Sequence, residues 1–557
     1  MRLKSAFILL GIIAVTMIFS CAKIGSPSGG SKDASAPHIK DAEPLNGSVN
    51  FNQKSFDIRF DEYVQLNNIQ QNLIVSPPFS EKPQVKIKGK GIRVILPEMP
   101  RENTTYSFMF LNAIADITER NEIPSLVYAF STGNQIDSLR ISGTVEDAFT
   151  TKPVEGIYVM LHAAGNDTAF RTSSPEYLTI TDKNGDFEFQ YVAEGNYLIY
   201  ALDDANYSYN FDQPNEKIAF LDSLIIPKAE RILVESDSVS ETVFFPGNLH
   251  LRLFEESQNN QYIKDEFRSH PGRIDIIFQR PEDSVISWSS PNLPQNTVIS
   301  RFSAENDSLS LLIQDKNYAA IDSVELYVSY FTHVDSIGRT QDTLLFPYPE
   351  SDSESLKIKS NIAQGKLHYY QKPQFEIPAL INDYDVDKIS FQYLKNDSTE
   401  IMQEISVERI KQGTALQINS KLLEGETYRI VFDSAAIKDI VGQTNDSLSF
   451  EFLYRKLSSY SSLKLNIDNP NLDFFCELLS GDEAIQIVMP NADGIVEFKF
   501  LEPGTYRVRL VMDENKNGKW DTGFLNIEKQ PEHIIYYPGK IELRANWEQE
   551  TDWILTE

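Results

Sequence analysis

Two stretches of this chain, 309 positions apart, keep one register through two turns and two strands: Gly185, Phe189, Gly195, Tyr197, Asp204 and Asp212 recur as Gly494, Phe498, Gly504, Tyr506, Asp513 and Asp521 without a gap. Whatever the first stretch folds into, the second must fold into as well. Asn184-Gly185 and Asp493-Gly494 supply the positive φ of a tight turn. The alternation that follows (Phe187, Phe189, Tyr191; Val496, Phe498, Phe500) has the two-residue period of a half-buried strand, and Gly195-Asn196-Tyr197 and Gly504-Thr505-Tyr506 open the next one. The chain is therefore expected to be all-β.

A weaker repeat precedes each copy. Asn103-Thr104-Thr105-Tyr106, Ala113 to Ile117 and Ser125 to Phe130 return as Gly425-Glu426-Thr427-Tyr428, Ala436 to Ile440 and Ser447 to Phe452, with one residue inserted. The strong repeat, led in its first copy by Ile141 to Val145 and Lys152-Pro153-Val154-Glu155-Gly156, resembles the carboxypeptidase-regulatory-like or transthyretin-like β-sandwich. In the second copy that opening strand and the Pro-Val element are degenerate. The segment from Ala36-Pro37 through Pro44-Leu45-Asn46-Gly47, Phe60-Asp61-Glu62 and Phe130-Ser131-Thr132-Gly133 resembles the bacterial Ig-like module of surface-layer and envelope proteins.

The expected order is tandem β-sandwich domains: Ig-like (36–133), transthyretin-like (137–228), a β-rich region of unknown type (245–350), Ig-like again (355–456) and transthyretin-like again (460–557). The middle region carries short apolar runs at Leu249–Phe254, Ile274–Phe278, Leu309–Ile313 and Val324–Tyr330, at sandwich spacing. Its polar separators would also suit a flexible insert, although its aromatic content favours a folded domain.

Ahead of these domains, Arg2 and Lys4 begin a short basic start, and Ala6 to Phe19 is a continuous run of apolar or small residues, too short to span a bilayer comfortably. This is the build of a signal peptide over 1–20. Ile18-Phe19-Ser20-Cys21 resembles the lipobox of bacterial lipoproteins, with Phe19 where a small residue is usual. The resemblance implies cleavage before Cys21 and acylation of its thiol and new amino group, with chains such as palmitate. An arm over 21–35, rich in Gly and Ser, has nothing to bury and would hold the first domain off the membrane.

The 557 residues carry a formal charge of −29, and without Arg2 and Lys4 the 51 basic side chains become 49 against 80 acidic, or −31. Such a surface repels phosphate backbones, so nucleic acid is excluded as a partner and any membrane contact falls to lipid. Only two cysteines are present, and with Cys21 acylated no intramolecular disulfide is available to Cys476. Apolar cores must hold the domains together.

Ligand chemistry clusters only in the loops of the strong repeat. Asp513, Asn515, Asn517 and Asp521 stand at positions one, three, five and nine, with Gly518 at six and the Lys519 carbonyl at seven, the ligand order of an EF-hand-type Ca²⁺ loop. Position twelve is Phe524, so the bidentate glutamate must come from elsewhere. Asp204, Asn206, Ser208, Asn210 and Asp212 repeat the frame without the glycine. The competing reading is a polar turn closed by Asx hydrogen bonds. In either case the role is structural.

Enzyme signatures are absent from the sequence. The seven histidines (His38, His162, His250, His270, His333, His368, His533) show no paired spacing, and no nucleophile elbow or phosphate-binding glycine loop occurs. Cys476, after Phe474-Phe475, reads as a small buried hydrophobe. Asp-Ser/Thr-x triplets, among them those beginning at Asp137, Asp167, Asp222, Asp237, Asp307, Asp322, Asp342 and Asp446, resemble the O-glycosylation acceptor of Bacteroidota envelope proteins, though an Asp-Ser turn before a strand explains many of them.

Taken whole, the chain resembles a Bacteroidota family of Ig-like-domain-containing envelope lipoproteins. The resemblance implies a non-enzymatic, lipid-anchored scaffold at the outer membrane, on its outer or periplasmic face. The expected partner is another envelope protein, and a role as accessory to outer-membrane protein assembly or export is one form this could take. Two other classes stay open: a cell-surface carbohydrate binder using Tyr207, Tyr209 and Trp520, and an enzyme whose site is assembled from distant residues.

Overall fold

The structure, a computed structural model, describes residues 33–165, 168–233, 240–256, 261–281, 286–332, 339–350, 355–395, 399–468 and 473–555. The signal segment 1–20, Cys21 and the arm to residue 32 lie outside the described residues, as do Asp167, Asp237 to Val239 and His333. Almost all described secondary structure is strand, with a few one-turn helices. No described helix is long and apolar enough to cross a membrane. The chain divides into two compact units, residues to Asp147 with Thr151–Phe254, and Ala148–Thr150 with Glu255–Glu557.

In the first unit the Ig-like domain sets the antiparallel sheet Ile39–Glu43, Ser55–Phe60, Gly91–Ile95, Gln84–Ile87 against the sheet Leu73–Ser76, Thr105–Phe110, Leu126–Ser131. Alternate residues of both sheets (Phe56, Ile58, Phe60; Tyr106, Phe108, Phe110) meet in one aromatic-rich core, as the two-residue period requires. The transthyretin-like domain follows with strands in the order Tyr177–Ile180, Tyr158–Ala163, Tyr197–Leu202, Lys217–Phe220, Leu249–Glu255, Leu139–Asp147, Asp186–Val192. Its core gathers Ile141, Val145, Val159, Leu161, Phe187, Phe189 and Leu251.

The second unit opens with the middle region, which is a folded sandwich. Strands Ile263–His270, Arg273–Phe278, Ser308–Ile313 and Val298–Phe302 form one sheet, and Ser287–Ser289, Ser323–Phe331 and Arg339–Pro347 the other. Ile274, Ile276, Leu309, Leu311, Val324 and Leu326 fill the space between. Two further β-domains follow, over the spans expected to repeat the Ig-like and transthyretin-like domains and so called below, each with its own core.

The duplication is deeper than the residue matches. Ser461–Asp468 pairs antiparallel with Ile495–Leu501 and parallel with Glu548–Ile554, as Leu139–Asp147 does with Asp186–Val192 and Leu249–Glu255. This corrects one boundary: the run Leu249–Phe254, expected in the middle region, is the closing strand of the first transthyretin-like sheet, which therefore extends past residue 228. Ser461–Asp468 is the opening strand that looked degenerate. Gly143 pairs with Phe187, and a Cβ on Gly143 would lie 2.8 Å from that ring and 2.3 Å from the Leu249 carbonyl oxygen. The matching pair in the second copy is Leu465 with Val496. Bulk has moved from one strand to its neighbour, so the sandwich is kept while the sequence pattern is lost.

Candidate functional site

The two aspartate loops of the strong repeat are built alike. In the second, Asp513 is buried where strand Gly504–Met512 ends, and its carboxylate accepts from the backbone N–H groups of Asn517 (2.9 Å) and Gly518 (2.8 Å). Asn515 Oδ1 accepts from Asn517 N and Asn517 Oδ1 from Lys519 N, while both amide Nδ2 groups donate to Asp521 Oδ2. Gly518, at φ +72°, makes the turn this closure needs. In the first loop Asp204 accepts from Asn206, Ser208 and Tyr209 N–H, Asn206 Nδ2 donates to Asp212, and Ser208 and Asn210 bond each other. Lacking the glycine, that loop places Tyr209 at positive φ, while Tyr207 and its counterpart Lys516 are at positive φ in both copies.

Each loop also holds a buried glutamate that the motif does not contain. Glu532 accepts from Glu514 N (3.1 Å) and Asp521 N (2.9 Å); Glu216 accepts from Ala205 N (3.2 Å), Asp212 N (3.1 Å) and Gln213 N (3.0 Å). Both tie the start of a loop to its end. Burial, together with the charges of Asp521 and Asp513, raises the pKa of Glu532 above the ordinary glutamate value. Each loop's hydrogen-bond network thus uses three carboxylates where the sequence motif offers two.

As placed, these oxygens are closed on N–H donors rather than open to an ion. Among the described residues no three His, Cys, Asp or Glu side chains cluster as a metal site.

The weaker repeat uses its polar residues in the same way. Asp116 accepts from the N–H groups of Glu119 (2.6 Å), Arg120 (3.0 Å) and Asn121 (2.7 Å), and Asp439 from those of Val441 (3.0 Å), Gly442 (2.8 Å) and Gln443 (2.8 Å). Tyr106 and Tyr428 are both buried, and their hydroxyls accept from Arg101 N and Leu423 N. In the strong repeat Tyr197 and Tyr506 donate back to Ala193 O and Glu502 O. Asp439 differs from Asp116 in one respect. Its Oδ2 lies 2.9 Å from Nε2 of buried His270, a contact that joins the middle domain to the second Ig-like domain.

The remaining candidates do not assemble. Of the three aromatics considered for glycan stacking, Tyr207 is 50% exposed beneath the Lys82 ammonium, whereas Tyr209 packs edge-on against Tyr158 and Trp520 donates its indole N–H to Glu532 O. Burial pushes the Cys476 thiol up, the opposite of what a nucleophile needs. A polar cleft of about 580 Å³ beside Asp439 mixes Asp315 and Lys438 with backbone of the following turn. Of the Asp-Ser/Thr triplets, those at Asp307, Asp322 and Asp446 lead directly into strands, as turn punctuation does.

No curated protein matches the chain. Solved structures that it is similar to include the major pilin subunit BcpA of Bacillus cereus (11% identity, 75% of this chain and 99% of that one, TM-score 0.13). Others are the S-layer protein SbsC (12%, 92% and 68%, 0.14) and the full-length major pilin RrgB of Streptococcus pneumoniae (9%, 75% and 100%, 0.16). Such scores leave no shared whole-chain architecture to argue from. A family match is local: residues 33–132 match the bacterial Ig-like domain family.

Proposed function

We propose that this protein is a non-enzymatic scaffold of the cell envelope, anchored by lipid at Cys21 to the outer membrane, whose β-sandwich domains engage another envelope protein. The observation that carries the reading is the fate of the duplicated polar residues. Asp116 and Asp439, Asp204 and Asp513, and Glu216 and Glu532 are spent on backbone N–H groups, which is architecture repeated rather than chemistry repeated. A role as accessory to outer-membrane protein assembly or export is the form we favour. Native purification in mild detergent with mass spectrometry should return one stoichiometric envelope protein. Retention on a polysaccharide array without such a partner would favour the carbohydrate-binding alternative.

The anchor has its own test. Each buried methylene contributes about 0.8 kcal/mol, so several acyl chains hold a protein at a membrane almost irreversibly. Cys21→Ala should leave unprocessed precursor or release the protein from the outer-membrane fraction. Unchanged retention together with unchanged partitioning into detergent would refute lipidation.

For the loops, we propose Ca²⁺ as the ion taken up when the N–H bonds give way and the loop rearranges, because Asp513, Asp521 and Glu532 belong to one hydrogen-bonded loop and Asn515 and Asn517 add amide oxygens. Binding at a hundredfold excess over Kd would stabilise the C-terminal domain by about 2.7 kcal/mol. Calcium-loaded and chelated protein should then melt at different temperatures, and Asp513→Ala with Asp521→Ala should erase the difference. Identical melting in both conditions would leave the loops as hydrogen-bonded turns.

A further inference from the structure

The duplication leaves one strand edge covered in the first copy and bare in the second. Tyr177–Ile180 is the edge strand of its sheet, paired on one side with Tyr158–Ala163. On its other side stands Leu73–Ser76, itself the edge strand of the first Ig-like sandwich, and Leu178 N–H donates to Ser76 Oγ at 3.0 Å. Two edges shield each other, and Leu178 is 3% exposed. In the second copy the equivalent edge strand is Glu483–Val488, paired among the described residues only with Phe474–Ser480. The Ig-like strand that would cover it, Ile389–Lys395, pairs with Thr399–Met402 of its own domain instead.

Register fixes the correspondence. Leu178 pairs with Met160, which pairs with Tyr200; Ile487 pairs with Glu477, which pairs with Arg509, and 200 and 509 are related by the repeat interval. Ile487 therefore stands where Leu178 does, its N–H directed outward from the sheet as that of Leu178 is. It is 54% exposed, between Ile485 at 44% and Met489 at 57%. Natural sheets blunt a free edge with lysine, proline or inward charge, and Ala484 to Met489 contains none of these. A β-bulge opposite Leu478 and Leu479 interrupts the strand, with Glu483 at its start and Pro490 just beyond Met489.

We propose that this edge is the self-association surface of the protein, occupied by the same strand of a second copy in an antiparallel pair about a two-fold axis at Ile487. The strand suits itself. A residue whose N–H and C=O both face outward exchanges two hydrogen bonds with its own symmetry mate. Ile485 of one copy falls beside Met489 of the other, continuing the apolar stripe across the axis. Glu483, the strand's single charge, lies at its far end and does not meet its own image, which matters in a chain of formal charge −29. The proposal is independent of lipidation and of any other partner.

Symmetry makes the test direct. Residues facing each other as a hydrogen-bonded antiparallel pair have Cα atoms about 5.5 Å apart, inside the range a disulfide bridges. Ile487→Cys in the full-length protein, oxidised in whole cells, should form a covalent homodimer at least about tenfold more readily than Leu345→Cys, a more exposed apolar site on another strand (67% against 54%), the orientation dependence following from disulfide geometry. Ile487→Lys, tolerated by an exposed position, should lower the dimer fraction of the otherwise native chain in sedimentation equilibrium. A disulfide to a different protein, equal crosslinking at Leu345→Cys, or a monomer with uncrosslinked Ile487→Cys would each overturn the proposal.

Discussion

Asp439→Ala should cost the second Ig-like domain at least about 3 kcal/mol, since a buried donor left without an acceptor costs about 1–3 kcal/mol and this side chain serves three. Asp439 is fully buried, and Oδ1 alone accepts from Val441, Gly442 and Gln443. The neighbouring Ile437 and Ile440 pack on opposite sides of it, into the Ig-like core and against the middle domain. The loss should therefore appear at a joint rather than at a loop tip. Because a chain of several domains does not unfold in one step, the measurement is native-state hydrogen exchange, with protection falling at those three amides and along Ile381–Tyr384, the strand paired with Ile437–Asp439. Asp439→Asn keeps one oxygen for the N–H groups and should cost less. A double-mutant cycle with His270→Ala then isolates the contact through Oδ2. Asp116→Ala should unprotect its own turn without any such coupling. Unchanged exchange in Asp439→Ala would mean that water replaces the carboxylate, and the buried cap would contribute little.

The contrast between Asp116 and Asp439 also shows what the sequence could and could not reveal. Both stood in the weaker repeat, yet a recurring aspartate says only that a position is shared; which N–H groups it receives depends on how the chain turns after it. Local signals were readable because their cause is local. Gly185 and Gly494 sit at φ +77° and +76°, and Asp182 and Asn491 close those turns by accepting from the residues two and four positions on. Non-local signals were not readable. Leu249–Glu255 reaches Leu139–Asp147 across about a hundred residues in a parallel pairing that no turn announces, so its apolar run attached in sequence to the wrong domain. Glu216 and Glu532 follow their loop aspartates at different distances, one through a short connection and one past the helix Leu525–Ile527, so a fixed-spacing motif misses both. Cys476 is fully buried on Phe474–Ser480, where its apolar neighbours already pointed.

His162 was one of seven scattered histidines, and burial gives it the second large effect. It lies on Tyr158–Ala163 at 2% exposure, edge-on to Tyr200, and its Nε2 has no hydrogen-bond partner among the described residues. Desolvation lowers its pKa to about 4. The unfolded chain, with an ordinary value near 6.5, takes up a proton between those limits that the folded domain refuses. Stability of the first transthyretin-like domain should therefore be complete above about pH 6.5 and fall as pH drops, with roughly 3 kcal/mol lost by pH 4 at about 1.36 kcal/mol per pKa unit. The first Ig-like domain should behave differently in that window. There Arg93 and Lys88 hold the Asp57 carboxyl down to about 2, so that contribution is lost only as pH falls below the ordinary aspartate value near 4. His162→Leu, of similar volume and with nothing to protonate, should flatten the transthyretin-like domain between pH 4 and 6.5 and leave the acid limb of the Ig-like domain in place. Hydrogen exchange at Val159 and Leu161, compared at pH 7 and pH 5 after correction for the intrinsic rate, separates the two domains in one sample. An equal loss of protection in wild type and His162→Leu would assign the acid sensitivity to carboxylates and leave the buried imidazole with no part in it.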